Sequence, residues 1–349
     1  MTWMLYGSYG YTGRLVAAVA KARGHEPLLS GRDTQRLATQ AVELGLPHRA
    51  LALADADALA GVLRQTRVQL VAHCAGPYSA TAEPMVRACL AASVPYLDVT
   101  GEVDVFEALL AMDGAATQAG IPILPGSGMD VVPTDCLAAQ LAGRLPDAVR
   151  LELAFLAPGG MSPGTAKTSL EGASKGGRAR IDGALVRVPL GWRRRTVQFP
   201  RGPVEVGSLP WGDVSTAYRS TGIPNIVVYT KLPGRRRTGL ARLLAPIAGI
   251  PPVRRRMQAL AVRRITGPSA ETRAATWTQF WGRVENDRGE SAELTATGPN
   301  GYDMTADAMV RIVERVLAGR VSPGAHTPAQ AHGKDFIAEL DGVTVGERG

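Results

Sequence analysis

The sequence predicts an α/β protein: an N-terminal Rossmann-type, doubly wound parallel sheet followed by a second, mixed α/β domain. Three observations carry this. Short apolar runs alternate with amphipathic helical patterns through residues 1–140, the signature of βαβ units. A glycine-rich turn, Gly7 to Gly13, follows the first apolar run and opens a helix. Beyond Pro146 the pattern changes to strand-like runs, several of alternating polarity, with helices between them. A chain of 349 residues is long enough for two buried cores.

The elements follow in order. Thr2–Tyr6 reads as the first strand and Arg14–Ala22 as part of the helix after the glycine turn. Glu26–Ser30, His48–Leu53, Val68–His73, Pro95–Val99 and Ile121–Leu124 read as five more strands. The fourth of the six strands, VQLVAH, is largely apolar, as a buried parallel strand should be. Helices are expected at Asp33–Leu44, Asp55–Arg64, Glu83–Ala92 and near Val103–Ala119. In the second domain Leu151–Leu156, Leu185–Val188, Thr196–Phe199, Ile226–Tyr229 and Thr272–Glu285 read as strands. Helices are expected near Lys167–Gly176 and across a basic segment, and Ala306–Ala318 reads as the last helix, stopped by Gly319 and Pro323. The domain boundaries are set at 1–135, 136–318 and 319–349, the last a C-terminal segment packing back on the first domain.

Composition narrows the function. The three cysteines, Cys74, Cys89 and Cys136, have no CxxC spacing and sit among apolar residues, which argues against disulfides and structural zinc. No metal site is expected. The chain starts directly into a strand, and no apolar run is long enough to span a membrane, so a cytoplasmic protein is expected. The formal net charge of +8 is local. From Val214 to Ala270 there is no Asp or Glu, but there are Lys231 and ten arginines, including the triplets Arg235–Arg237 and Arg254–Arg256. A basic surface in the 219–264 segment could dock an acidic carrier protein or an anionic membrane. Nucleic acid ranks last, because the cations lack interleaved aromatics and any recognition motif.

The glycine motif Gly7-Ser8-Tyr9-Gly10-Tyr11-Thr12-Gly13 has a specific physics. Gly7 permits the tight turn out of the strand, the crest brings backbone N–H groups to a pyrophosphate, and Gly13 lets the helix pack closely on the sheet. The second strand ends Ser30-Gly31-Arg32, where an NAD site would place an acidic residue. A guanidinium suits a 2′-phosphate, so NADP(H) is favoured, with Arg36 one turn on and Asp33 as the counter-argument. The fourth strand ends Cys74-Ala75-Gly76-Pro77-Tyr78, whose Gly-Pro turn would approach the nicotinamide ribose. Asp98–Glu102 and Pro125–Asp130 end the fifth and sixth strands at the same crevice.

Together GSYGYTG, SGRD, CAGPYSATAEPMVRACL, YLDVTGE, GSGMDVVPTD and the late TPAQAHGKDF resemble the saccharopine dehydrogenase-like superfamily. They are most like its small bacterial branch, which includes trans-acting enoyl reductases. Ser162–Thr165 is similar to the family's small-residue glycine turn. The resemblance implies that Gly7, Tyr9, Gly10, Tyr11, Thr12 and Gly13 hold the pyrophosphate, with Ser8 in the same loop. Ser30 and Arg32 would meet the 2′-phosphate, Asp55 the adenine, and Gly76, Pro77 and Tyr78, with Cys74 and Ala75 before them, the nicotinamide side. Relatives often read Cys-Gly-Phe-Asp where this chain has Ser127-Gly128-Met129-Asp130.

Hydride transfer then needs positioning and a donor for developing charge. Tyr78 is the first candidate, followed by Asp130 and Lys167. The implied function is an NADPH-dependent reductase of a hydrophobic or carrier-bound intermediate, with an activated C=C as the first candidate bond. Two alternatives stay open. One is a C=N reductase or dehydrogenase on an amino-acid-type substrate, with Lys167, Lys175, Arg178 and Arg180 as carboxylate ligands. The other is a non-catalytic NADPH-binding module. An exposed edge of a mixed sheet also allows a homodimer.

Overall fold

A computed structural model describes residues 2–347 apart from 54, 175 and most of 235–264. The helix expected across the basic segment lies outside the described residues.

The first sheet is built from β1 (Met4–Tyr6), β2 (Leu28–Gly31), β3 (His48–Ala50), β4 (Val71–His73), β5 (Tyr96–Asp98) and β6 (Pro122–Leu124). They run parallel in the order β3-β2-β1-β4-β5-β6, so the chain reverses its direction of travel between β1 and β4. Ligand crevices in such sheets lie outside the carboxyl ends of the strands at this point. The crossovers are α1 (Tyr11–Ala22), α2 (Thr34–Leu44), α3 (Ala56–Thr66), α4 (Tyr78–Ala92), α5 (Val103–Leu110) and α6 (Asp113–Ala119). The single helix expected near 103–119 is two. Asp33 and Asp55 are helix N-caps: Asp33 accepts from Arg36 N, and Asp55 from Asp57 N and Ala58 N.

Helix α7 (Val132–Arg144) carries the chain to a nine-stranded mixed sheet. It comprises β7 (Arg150–Leu156), β8 (Gly177–Ile181), β9 (Ala184–Val188), β10 (Arg194–Phe199), β11 (Gly202–Ser208), β12 (Asn225–Thr230), β13 (Trp277–Glu285), β14 (Ser291–Pro299) and β16 (Thr344–Glu347). Among the described residues of this sheet only β7 and β12 pair in parallel. The other helices among the described residues are α8 (Pro163–Ser174), α9 (Asp213–Thr221), α10 (Ala270–Ala274), α11 (Gly301–Leu317) and α12 (Pro328–His332).

One expectation is corrected and another is extended. Thr272–Glu285 is not one strand: the Ser269 hydroxyl caps α10 by accepting from Thr272 N, and the strand begins only at Trp277. The C-terminal segment serves both sheets. β15 (Gly324–Ala325) extends the first beside β6, and β16 extends the second beside β14. The core is correspondingly shared. Val16 of α1, Leu137 of α7, Leu153 of β7, Phe280 of β13 and Ile312 of α11 bury in one continuous apolar cluster.

One buried carboxylate also joins three helices. Asp135 of α7 accepts from Ser220 Oγ of α9 (2.8 Å) and from Ala329 N of α12 (2.8 Å). Asp135→Ala removes the acceptor of Ala329 N and one of the two partners of Ser220 Oγ, which keeps Thr327 Oγ1 (2.6 Å), and should lower the unfolding free energy by about 1–3 kcal/mol. Urea unfolding at an unchanged m-value measures this. A loss below about 0.5 kcal/mol would show that the carboxylate does not hold the helices together.

Candidate dinucleotide site and crevice

The glycine loop is a cradle made by close approach. Gly7 has φ +81, and a Cβ there would lie 2.8 Å from the Cys74 carbonyl carbon and 2.9 Å from Ala75 Cβ. A Cβ on Gly13 would lie 2.3 Å from the Gly7 oxygen. At Gly10 it would meet only the Gly7 oxygen at 3.1 Å and the Cys74 oxygen at 4.0 Å. Side chains are therefore excluded where the helix meets the strand, and the crest keeps its backbone accessible. Gly10 caps α1 without any side-chain hydrogen bond, whereas side chains cap α2 and α3. The first-turn N–H groups of α1 are thus left to an anionic ligand, which fits a pyrophosphate. Ser8 is buried, its carbonyl accepting from Gln40 Nε2 (2.9 Å). Thr12 lies half-buried in the first turn.

At the end of β2 the ring of Tyr9 covers Gly31, where a Cβ would come within 2.5 Å of the ring. Arg36 stacks on the same ring at 4.7 Å, and the Tyr9 hydroxyl accepts from Asp33 N. Arg32 is exposed and makes no hydrogen bond or ion pair among the described residues, so its guanidinium is available to a 2′-phosphate. Ser30 is placed differently from expectation. It is fully buried, and its hydroxyl donates to the Arg49 carbonyl (2.9 Å) inside the sheet, so only its backbone supports the loop. The Asp55 carboxylate is engaged by the cap of α3.

The β4 end brings Cys74, Ala75, Gly76 and Pro77 beside the glycine loop, as expected, with Cys74 N donating to Tyr6 O (2.7 Å). The Cys74 thiol faces Met309 Sδ (3.6 Å), and burial pushes its pKa up, away from nucleophilic chemistry. Tyr78 corrects the leading expectation. Its ring is buried against His73, and its hydroxyl donates to the His73 carbonyl (3.2 Å) rather than facing the crevice. Burial also raises its pKa well above the usual phenol value. Beneath it, His73 Nδ1 meets the Tyr96 hydroxyl (3.1 Å), which donates to Asp98 Oδ2 (2.8 Å). Asp98 Oδ1 accepts from Thr100 N and Gly126 N, tying the ends of β5 and β6 together. Glu102 accepts from Tyr78 N and Ser79 N at the start of α4.

Asp130 is different in kind. It follows β6, half-buried, with a carboxylate oxygen 3.3 Å from where a Cβ on Gly101 would lie. Its side chain makes no hydrogen bond or ion pair among the described residues, and burial pushes its pKa up to about 7. Its neighbours come from the second domain: Trp211 Nε1 donates to Asp130 O (2.6 Å), and Met129 N to Thr305 Oγ1 (3.1 Å). Helix α8 lies along the same crevice. A Cβ on Gly76 would lie 3.7 Å from the Thr168 methyl, and Lys167 is the residue before, half-buried.

Two site residues escape sequence reasoning. Tyr302 of α11 accepts from Ser162 N (2.6 Å) and sits 3.1 Å from Thr165 Oγ1, closing the small-residue turn at the head of α8. Arg273 of α10 reaches the Tyr11 hydroxyl (3.3 Å). Both lie far from the motifs in sequence, and no local pattern signals them. No group of metal-ligating side chains occurs among the described residues, and no described helix is long and apolar enough to cross a membrane.

Two outcomes follow from this geometry. Arg32→Ala should weaken NADPH binding at least tenfold and leave NADH binding nearly unchanged, read by nicotinamide fluorescence titration; equal losses for both cofactors would place Arg32 away from the 2′ position. Asp130 binds its proton more tightly folded than unfolded, so its contribution falls as pH rises from about 4 to about 7. Asp130→Asn should flatten the decline of stability across that window in urea titrations. A slope equal to the parent's would mean that Asp130 titrates normally.

Comparison with known proteins agrees with this architecture. Residues 3–124 match the family model of the saccharopine dehydrogenase NADP binding domain. The chain is 33% identical over 154 residues to a trans-acting enoyl reductase of Mycobacterium tuberculosis, covering 40% of this chain and 35% of that protein. A provisionally named trans-acting enoyl reductase of the same organism is 34% identical over 188 residues, 48% of this chain and 43% of that one. The chain thus spans less than half the length of these curated relatives. Among solved structures, saccharopine dehydrogenase (L-Glu forming) of Saccharomyces cerevisiae aligns over 100% of both chains with a TM-score of 0.64 at 12% identity. A homospermidine synthase of Legionella pneumophila, solved with NAD, aligns over 99% of this chain and 91% of that one, TM-score 0.64 at 8% identity. Residues 3–124 therefore form an NADP-binding domain of the saccharopine dehydrogenase type, carried on a chain with the saccharopine dehydrogenase fold.

Proposed function

We propose that the chain is an NADP-dependent oxidoreductase that reduces the activated C=C bond of a hydrophobic or carrier-bound acyl intermediate. NADPH, when bound, supplies the hydride. An enoyl thioester, NADPH and a proton then give the saturated thioester and NADP⁺. The observation that carries this reading is Asp130: a half-buried carboxyl at the crevice edge, held by no hydrogen bond among the described residues and pushed up to about 7. Near neutral pH about half of it carries a proton for the carbon next to the thioester carbonyl, and a pKa near the working pH is what proton donation requires. Gly76, Pro77 and α8 would wall the reacting bond, with Lys167 as a second polar group near the thioester oxygen. The names of the mycobacterial relatives support the same substrate class.

The amino-acid alternative needs cations lining the crevice for a substrate carboxylate. Arg178 and Arg180 do not serve it: both are buried, paired with Asp104 (3.7 Å) and Glu107 (2.6 Å) of α5. That reading would rest on Lys167, since Lys175 lies outside the described residues. The eleven cations of 219–264, largely outside the described residues, suit an acidic carrier protein that delivers the thioester.

The test is NADPH oxidation with an enoyl thioester, free and carrier-bound, set beside a 2-oxo acid plus amino acid. Enoyl turnover is expected, with kcat falling about 100-fold in Asp130→Asn while NADPH binding persists. Converting Arg235–Arg237 and Arg254–Arg256 to glutamine should raise KM for the carrier-bound substrate alone. A rise that instead tracks anionic vesicles would move docking to a membrane. Turnover only with the imine-forming pair, or none at all, would sink the enoyl reading.

A further inference from the structure

Tyr11 is the first residue of α1, in the middle of the glycine loop, yet its side chain leaves the first domain. Its hydroxyl donates to the Pro268 carbonyl (2.6 Å), and Arg273 Nη1 donates to the same hydroxyl oxygen (3.3 Å). Arg273 is itself held from behind, Nε donating to Asp303 Oδ1 of α11 at 2.8 Å, with only 17% of its side chain exposed. The edge of the Tyr11 ring meets Tyr302 at 4.8 Å. Gly267 lies against the other side with φ +89, where a Cβ would come 2.4 Å from the ring. Three second-domain segments thus converge on one side chain of the phosphate loop. Among the described residues Tyr11 belongs to none of the apolar core clusters, so this contact is not a by-product of core packing.

We propose that Tyr11 and Arg273 are positioning residues of the dinucleotide site, a clasp by which the second domain holds the first turn of α1 in its phosphate-receiving form. The inference rests on the dinucleotide occupying the glycine loop. Tyr11 N is one of the uncapped N–H groups that a pyrophosphate would engage, so fixing the side chain fixes that donor. The coupling is reciprocal: a ligand that orders the loop orders the segment that grips it. That segment, Ile265–Ser269, also forms one wall of a cleft of about 360 Å³ facing Gly159, Gly160 and Met161. Cofactor occupancy is thereby transmitted to a surface of the second domain that the cofactor does not touch.

The experiment pairs NADPH titration with backbone amide hydrogen exchange on the full chain. In the parent protein NADPH should slow exchange across 265–273. Tyr11→Phe, which keeps the ring and removes the hydroxyl, should weaken NADPH three- to tenfold and abolish most of that slowing at saturating NADPH. Arg273→Gln, which leaves the glycine loop intact, should do the same, and Arg273→Lys should restore part of both. A purely structural contact would lower the melting temperature yet leave the NADPH-induced slowing intact, and that result overturns the clasp. So does a parent protein that binds NADPH without any change in 265–273. Failure of the parent to bind NADPH would overturn the cofactor reading and the clasp with it.

Discussion

The seating of α1 on the edges of β1 and β4 is a contact that tolerates no side chain, and the rest of the molecule is arranged around it. A Cβ at position 13 would stand 2.3 Å from the Gly7 oxygen, and one at position 7 would stand 2.8 Å from the Cys74 carbonyl carbon. Both lie well inside van der Waals contact, so the helix either has glycine there or lifts off the sheet. Lifting it would cost more than the loop. Helix α1 packs on α11, and α11 shares one apolar cluster with β7, β13 and β14. The glycine contact therefore sets the height at which the second domain meets the first.

The carboxylates around the crevice sort by what satisfies them. Asp33 and Asp55 accept from helix N-termini, Glu102 from the start of α4, and Asp135 from α9 and α12. Asp98 accepts from two backbone N–H groups and a phenol, and these partly offset a burial that still raises it to about 6. Asp130 has burial without any such offset and rises to about 7. The two residues stand at neighbouring strand ends with opposite allocations: one carboxylate is consumed by holding the loops in place, and the other is left able to exchange a proton. A protein that needed Asp130 only for stability would have gained more from an apolar residue at that position.

Much of this was readable in the sequence, and the limits have physical causes. The six parallel strands, the glycine cradle and the place of Arg32 at the end of β2 follow from local patterns, because βαβ units and phosphate loops are made by residues adjacent in the chain. The hairpin of β13 and β14 was half missed. Its turn at Asn286–Gly289 lacks a tight two-residue signal and closes through Asn286 Oδ1, which accepts from Arg288 N and Glu290 N. Tyr78 was misjudged because the chain position of a phenol does not say whether it points out of the sheet or back toward a carbonyl five residues earlier. Ser30 misled for the same reason, since a strand residue alternates faces and this one turned inward. Tyr302 and Arg273 were invisible, because their partners in the glycine loop and at the head of α8 lie more than a hundred residues away in the chain.

Tyr302 and Arg273 share a location, the seam between the two sheets. There Trp211 meets the Asp130 carbonyl, Thr305 the Met129 amide, Thr168 the space over Gly76, and Pro268 the Tyr11 hydroxyl. Each of the four is a second-domain residue resting on a loop at the carboxyl end of β1, β4 or β6. Strands of three residues cannot by themselves hold such loops to the fraction of an ångström that the proposed hydride and proton transfer would demand. The Rossmann half supplies the phosphate cradle from its own sequence, but the shape of the crevice beyond it is set by how the second domain lies on those loops. Chemistry at this seam is then a property of the pair of domains, and a substitution deep in either can change it without touching a ligand.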